Sequence, residues 1–168
     1  MIQEYSKEFY QDVVEIFWIT SAKKNFESDQ EKINFQHKYL DDYLTHKEKV
    51  CLVYTQNQKA IGYIIGVLSY TELEINQHAL LKHFKNELKD YPTELHINFH
   101  PNFQGGGKGS QLIQAFEDKV FTKNSKGIFL LTGAQARNVH FYLKNDYLII
   151  CEKEINGLNI LFMGKCSK

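Results

Sequence analysis

The segment Phe99-His100-Pro101-Asn102-Phe103-Gln104-Gly105-Gly106-Gly107-Lys108-Gly109-Ser110 carries the strongest chemical signal in the chain. Glycines at 105, 106, 107 and 109 let the backbone approach a ligand closely. The amphipathic stretch that follows predicts a helix starting near Gly107, whose first N–H groups have no intrahelical partner. Those donors, with the partial positive charge of a helix N-terminus, suit an anionic pyrophosphate. Each charge-assisted hydrogen bond contributes roughly 1.5–3 kcal/mol, so about four or five would hold a pyrophosphate without any arginine. A Walker A loop is excluded, because Gly109 stands where Gly-Lys must be followed by Ser or Thr. A dinucleotide fingerprint opens its domain, whereas this turn lies two-thirds of the way along the chain. A nucleotide phosphotransferase would also need a strand ending in Asp to hold magnesium, and none is evident.

Upstream of the turn, Glu94, His96 and Asn98 alternate with Leu95, Ile97 and Phe99. That period of two predicts a half-buried strand with one polar face. A carboxylate and an imidazole on one face are candidates for proton transfer, and an unperturbed histidine titrates near pH ~6.5. The alternative for His96 is a structural histidine satisfied by hydrogen bonds. Cys51, Cys151 and Cys166 form no C-x-x-C pair, so neither a disulfide framework nor a zinc site is expected. Cys51 and Cys151 read as buried structural thiols.

The 168 residues suit one domain, 1–168, and 43% hydrophobic composition provides material for a sizeable core. Lys plus Arg and Asp plus Glu are 20 each, which argues against nucleic acid or an anionic membrane as the main partner. Arg137 is the only arginine, leaving phosphate to backbone N–H groups and lysines. The first residues carry no basic flank and no apolar run, and no stretch approaches the ~20 apolar residues of a membrane helix. The expected setting is the cytoplasm, with no metal.

The elements that must position these groups follow from periodicity. A short strand at 1–5 precedes a helix carrying Phe9, Val13, Ile16 and Phe17, and a second helix runs from about Asp29 to Leu44. Strands at 50–55 and 60–70 flank the polar turn Gln56-Asn57-Gln58-Lys59. Leu80, Leu81, Phe84 and Leu88 predict a helix over Gln77–Leu88, which Pro92 must follow. After the strand 94–99 and the glycine turn come a helix to about Thr122, a strand at 127–132 and a helix at 135–144. Strands at 147–154 and 158–164 then close on Asn156-Gly157, a strong hairpin signal. The fold class is α/β, more strictly an α+β mixed sheet.

Gln104-x-x-Gly107-x-Gly109 after a strand and before an amphipathic helix resembles the Q/R-x-x-G-x-G/A motif of the GNAT acyl-CoA N-acyltransferase superfamily. About thirty residues later, Asn138-Val139-His140-Phe141-Tyr142-Leu143-Lys144-Asn145-Asp146-Tyr147 is similar to that family's N-x-x-F-Y-x-K-x-G-F. The order of elements agrees over nearly all of the chain, with residues 1–90 agreeing by pattern only. The helix expected near 77–89 and the sequence Glu94-Leu95-His96-Ile97-Asn98 also resemble the GNAT-like domain that accompanies some O-GlcNAc hydrolases, and its bacterial stand-alone relatives. The resemblance implies a central, mostly antiparallel sheet of about seven strands flanked by helices.

It further implies direct transfer of an acetyl group from acetyl-CoA to a primary amine of a small molecule or peptide. Gln104, Gly105, Gly106, Gly107, Lys108, Gly109 and Ser110 would cradle the pyrophosphate. Phe99 and His100 would offer main-chain groups to the pantetheine and thioester. Asn138, or Gln135 in its place, would contact the pantetheine or phosphate region. Tyr142 would meet the CoA sulfur as the acid. The family's base is often a glutamate on the strand before the glycine turn. Glu94 lies close to that position, a gapless alignment from Gln104 puts Thr93 there, and His96 is the other candidate. Asp146 replaces the family's glycine, a position that takes a left-handed conformation after the helix. The second reading is a non-catalytic acyl-CoA-binding regulatory or interaction module of the same fold. A homodimer is a further expectation, because dimers are common in the family.

Overall fold

The computed structural model describes residues 1–167. They fall into two compact units, the first of Met1–Gly66 with His96–Phe116, the second of residues 67–95 with 117 onward.

In the first unit, strands β1 (Ile2–Glu4), β2 (Lys49–Gln56), β3 (Lys59–Val67) and β5 (His96–Phe99) form a sheet in the order β1-β2-β3-β5. The β2–β3 turn places Asn57 and Gln58 at φ 51° and 63°, matching the strand twist as a two-residue hairpin requires. Helix α1 (Tyr10–Thr20) buries Val13, Ile16 and Phe17. The expected helix from Asp29 becomes α2 (Asp29–Gln36), one π-helical turn (His37–Asp41) and α3 (Asp42–Thr45). Ser28 caps α2 by accepting the Glu31 N–H at 3.1 Å, and Leu40 and Leu44 join the α1 residues over Val53, Tyr63 and Ile65.

In the second unit, β4 (Thr93–Glu94), β6 (Gly127–Gly133), β8 (Leu158–Cys166) and β7 (Leu148–Ile155) form a sheet in the order β4-β6-β8-β7. Only β4 and β6 run parallel. The turn Asn156-Gly157 takes φ 53° and 75°, as the hairpin signal requires. Phe129 stacks on Phe162 at 4.9 Å between centroids, and Phe84 lies 5.4 Å from Phe162. Helix α5 (Lys108–Thr122) begins in the first unit and ends in the second.

Both sheets are mostly antiparallel and flanked by helices, in keeping with the expected class, and the described residues hold eight strands in two groups of four where about seven were expected. Two local expectations are corrected. The helix over Gln77–Leu88 is instead α4 (Glu72–Gln77) followed by 3₁₀ turns at Leu81–His83 and Glu87–Lys89. The backbone leaves the helical region at His78, at ψ 130°, and the His78 Nδ1 accepts the N–H groups of Leu80 and Leu81 at 3.2 and 3.1 Å, capping the turn that follows. Leu81, Phe84 and Leu88 are nonetheless buried, so the periodicity reported burial rather than helix. The strand over 94–99 is likewise divided: Thr93–Glu94 pairs with β6, and His96–Phe99 pairs with β3. Thr93, Glu94 and Leu95 are 0%, 2% and 1% exposed, so both faces of the chain are covered there and Glu94 does not sit on a solvent face.

Helix α6 (Asn138–Lys144) ends in a Schellman arrangement. Tyr147 N–H donates to Tyr142 O at 3.1 Å and Asp146 N–H to Leu143 O at 3.1 Å, with Asp146 at φ 67°. The accompanying contact is between the Tyr142 and Tyr147 rings, 5.9 Å apart. Lys165, paired with buried Glu117 at 2.8 Å, also donates to Asn145 O at 3.1 Å and so closes the helix end. A left-handed non-glycine residue costs roughly 1–2 kcal/mol, less for Asp. Asp146→Gly is therefore expected to stabilise the protein by about 0.5–1 kcal/mol, read as a higher urea midpoint at unchanged slope.

Candidate functional site

The glycine turn is built by conformation rather than crowding. Gly105, Gly106 and Gly107 take φ 85°, 63° and 76°, three consecutive left-handed residues. A Cβ at Gly105 or Gly107 would meet nothing within 4 Å, so backbone angle alone demands glycine there. All three are exposed. At Gly106, a Cβ would meet Lys108 Nζ at 3.3 Å, which places the ammonium beside the turn. Helix hydrogen bonding starts with Gln111 N–H to Gly107 O at 3.0 Å. The N–H groups of Lys108, Gly109 and Ser110 therefore belong to the unpaired first turn of a 15-residue helix.

Gln104 braces the turn rather than facing outward: its Nε2 donates to Phe99 O at 3.2 Å. His100 is committed twice, its N–H donating to Ile61 O at 2.9 Å and its Nδ1 accepting Asn102 N–H at 3.3 Å. Of the main-chain groups that His100 was expected to offer to pantetheine and thioester, the N–H belongs to the β3–β5 ladder instead. The same ladder settles which groups of β5 are open. Bonding between 100 and 61, with Phe99 opposite Gly62 and Ile97 opposite Ile64, makes Ile97 and Phe99 non-hydrogen-bonded positions. Their main-chain groups point away from β3, off the edge of the sheet, where an amide-bearing chain adds as a strand would. Ile97 was missed in the sequence because an apolar side chain says nothing about the direction of its own N–H.

His96 and Asn98 each meet a tyrosine. His96 Nε2 lies 3.2 Å from Tyr43 Oη, and Asn98 Nδ2 donates to Tyr63 Oη at 3.0 Å. Burial raises the Tyr63 pKa.

In the second unit, the buried Glu94 carboxylate accepts a hydrogen bond from the Tyr70 hydroxyl. No sequence signal links these two residues, which lie 24 positions apart. Tyr142, 5% exposed, projects from α6. Burial raises its pKa. It therefore stays protonated through the neutral range. Asn138, at the start of α6, accepts from Thr132 Oγ1 at 2.8 Å, which holds its side chain against β6; Gln135 is exposed.

Cys51 and Cys151 are poor nucleophiles. Burial pushes the Cys51 thiol up to about 12. Cys151 is half-buried rather than buried; its thiol donates to Glu87 Oε1 at 3.3 Å, and burial and that carboxylate raise its pKa. Among the described residues no cluster of three or more His, Cys, Asp or Glu could hold a metal, and no helix is long and apolar enough to cross a membrane.

A family model described as acetyltransferase (GNAT) family matches residues 10–147. The chain belongs to that family. As a member it is an acetyl-CoA-dependent N-acetyltransferase. Among solved structures, it is similar to the ribosomal-protein-alanine N-acetyltransferase from Brucella melitensis, at 15% identity and TM-score 0.68, covering 99% of each chain. The aminoglycoside 6'-N-acetyltransferase from Enterococcus faecium matches at 13% identity and TM-score 0.68, over 99% of this chain and 96% of that one. A putative acetyltransferase from Salmonella typhimurium, solved with its cofactor acetyl-CoA, matches at 15% identity and TM-score 0.65, over 99% and 92%. At these identities the likeness establishes the fold. No curated protein sequence matches significantly.

Gly107→Ala forces a Cβ into a left-handed conformation at roughly 1–2 kcal/mol. Calorimetric titration should show acetyl-CoA binding weakened about tenfold, since 1.4 kcal/mol is a factor of ten. Unchanged affinity would mean that the turn does not hold the cofactor.

Proposed function

We propose that the protein transfers the acetyl group of acetyl-CoA directly to a primary amine, without an acyl-enzyme, and acts in the cytoplasm as a single functional domain. The observation that carries this reading is the run of three left-handed glycines between an edge strand and the unpaired first turn of α5. The residues fit the group: exposed backbone N–H groups from Gly105 to Ser110 and the Lys108 ammonium suit a pyrophosphate. The outward main-chain groups of Ile97 and the outward N–H of Phe99 suit the amides of pantetheine, while the Phe99 carbonyl is taken by Gln104. The Phe99 N–H is the donor that replaces His100 for the thioester oxygen, where one such donor contributes about 2.7–4 kcal/mol in other acyl transfers.

A lysine-like amine has pKa ~10.4 and must shed a proton before attack. We assign that proton to Glu94. As the C–N bond forms and the C–S bond breaks, Tyr142 gives its proton to the departing thiolate. A phenol whose pKa burial has raised begins every cycle protonated, which is the state a donor needs. The acceptor is of small-molecule or peptide type, as in the aminoglycoside and ribosomal-protein-alanine enzymes named above. Asp41 and Glu74 are not free to recruit it: Asp41 accepts from Tyr10 and Gln36, and Glu74 completes a capping box with Thr71.

Thiol release from acetyl-CoA across spermidine, kanamycin and a peptide with an N-terminal alanine tests the activity. Tyr142→Phe is expected to lower kcat at least tenfold with acetyl-CoA affinity unchanged; equal turnover would remove Tyr142 as the acid. Cys51→Ala is expected to keep kcat within twofold, whereas loss of turnover with an intact fold would restore an acyl-thiol route. Acetyl-CoA binding without turnover of any amine would favour the non-catalytic module.

A further inference from the structure

Glu94 has a difficulty as a base that acts alone. It is 2% exposed, on a strand covered on both faces, and a carboxylate so enclosed has little surface to offer an incoming amine. Tyr70, by contrast, is half-buried and donates its hydroxyl to Glu94 Oε2. We propose that the Tyr70 hydroxyl meets the acceptor amine and relays its proton to Glu94, making the Tyr70–Glu94 pair the proton exit of the reaction. The proposal rests on the acetyltransferase reading above and names a catalytic residue that reading leaves out.

Both members of the pair are held in place by their neighbours. Thr93, next to Glu94, donates to Leu68 O at 2.9 Å, which ties β4 to the segment carrying Tyr70. The Thr93 hydroxyl also lies 2.7 Å from Ser125 Oγ. On the other side of Tyr70, Thr71 caps α4: its N–H donates to Glu74 Oε2 at 2.6 Å, and its Oγ1 accepts Glu74 N–H at 3.3 Å. The Tyr70 ring packs against the apolar cluster of Leu81, Phe84, Phe129 and Phe162. A phenol clamped on both sides, with its oxygen against a buried carboxylate, is pre-organised for proton transfer.

The step balances without a co-reactant. An N–H proton of the ammonium passes to Tyr70 Oη while the proton on Tyr70 Oη passes to Glu94 Oε2. The amine is left neutral with its lone pair, Tyr70 remains a phenol, and Glu94 becomes a carboxylic acid. The nitrogen sheds its second proton to solvent as the amide forms. The proton Tyr142 gives to the CoA sulfur is a separate one, and after release solvent reprotonates Tyr142 and takes up the proton held by Glu94. A short relay of this kind lets a base work without touching the substrate.

The test measures thiol release from acetyl-CoA with whichever of spermidine, kanamycin or the N-terminal-alanine peptide the wild-type protein turns over fastest. Tyr70→Phe is expected to lower kcat at least tenfold while KM for acetyl-CoA stays within twofold. Glu94→Gln keeps an oxygen for the Tyr70 hydroxyl, so it tests the relay even where loss of that hydroxyl impairs folding; it is expected to lower kcat similarly. The double variant should fall no further than the lower single, because the two groups act as one path. Tyr70→Phe or Glu94→Gln retaining kcat within twofold overturns the relay, as do losses that multiply in the double variant. If wild type turns over none of the three amines while binding acetyl-CoA, the acetyltransferase reading falls and takes the relay with it, an outcome distinct from failure of the relay alone.

Discussion

The proposed site depends on one electrostatic arrangement, the presentation of unpaired helix N–H groups on a backbone that glycine follows without strain. Three consecutive residues at positive φ turn the chain from the end of β5 into α5. Any side chain at these positions would carry strain, and the strain is avoided by having no Cβ. The surroundings serve this turn: Gln104 fastens it to Phe99 O, and His100 fixes its entry through Ile61 and Asn102. A chain with one arginine and no net charge can thus bind a cofactor carrying several phosphate charges.

The proposed proton handling rests on burial of side chains that would otherwise be ordinary. Tyr142 is shielded by its position one Schellman contact from Tyr147, and α6 is held at that end by Lys165. Burial keeps its phenol protonated. Glu94 is enclosed and coupled to Tyr70. Burial likewise raises the Cys51 thiol to about 12, far from the thiolate form a nucleophile needs.

How much was legible in the sequence follows from how local each feature is. The glycine turn, the Asn156-Gly157 hairpin and the left-handed Asp146 depend on the conformational range of single residues, and each was readable. The two motifs that identify the family are short and nearly contiguous for the same reason. What escaped was set by partners distant in sequence. The apolar spacing over 77–88 was sound, but the chain leaves the helical region at His78, whose ring caps the next turn through Leu80 and Leu81. Glu94 looked like one face of an alternating strand, but the strand changes partners after it and the carboxylate is buried. The Tyr70–Glu94 contact and the outward groups of Ile97 exist only once the sheet registers are known.

The central claim is that the backbone amides of the glycine turn, with the Lys108 ammonium beside them, hold the cofactor. Amide-resolved NMR of the ¹⁵N-labelled protein titrated with acetyl-CoA tests it most directly. The account predicts that the N–H resonances of Gly105 to Ser110 move downfield and show the largest shifts in the chain. Saturating acetyl-CoA that leaves those six amides in place while shifting others would contradict it.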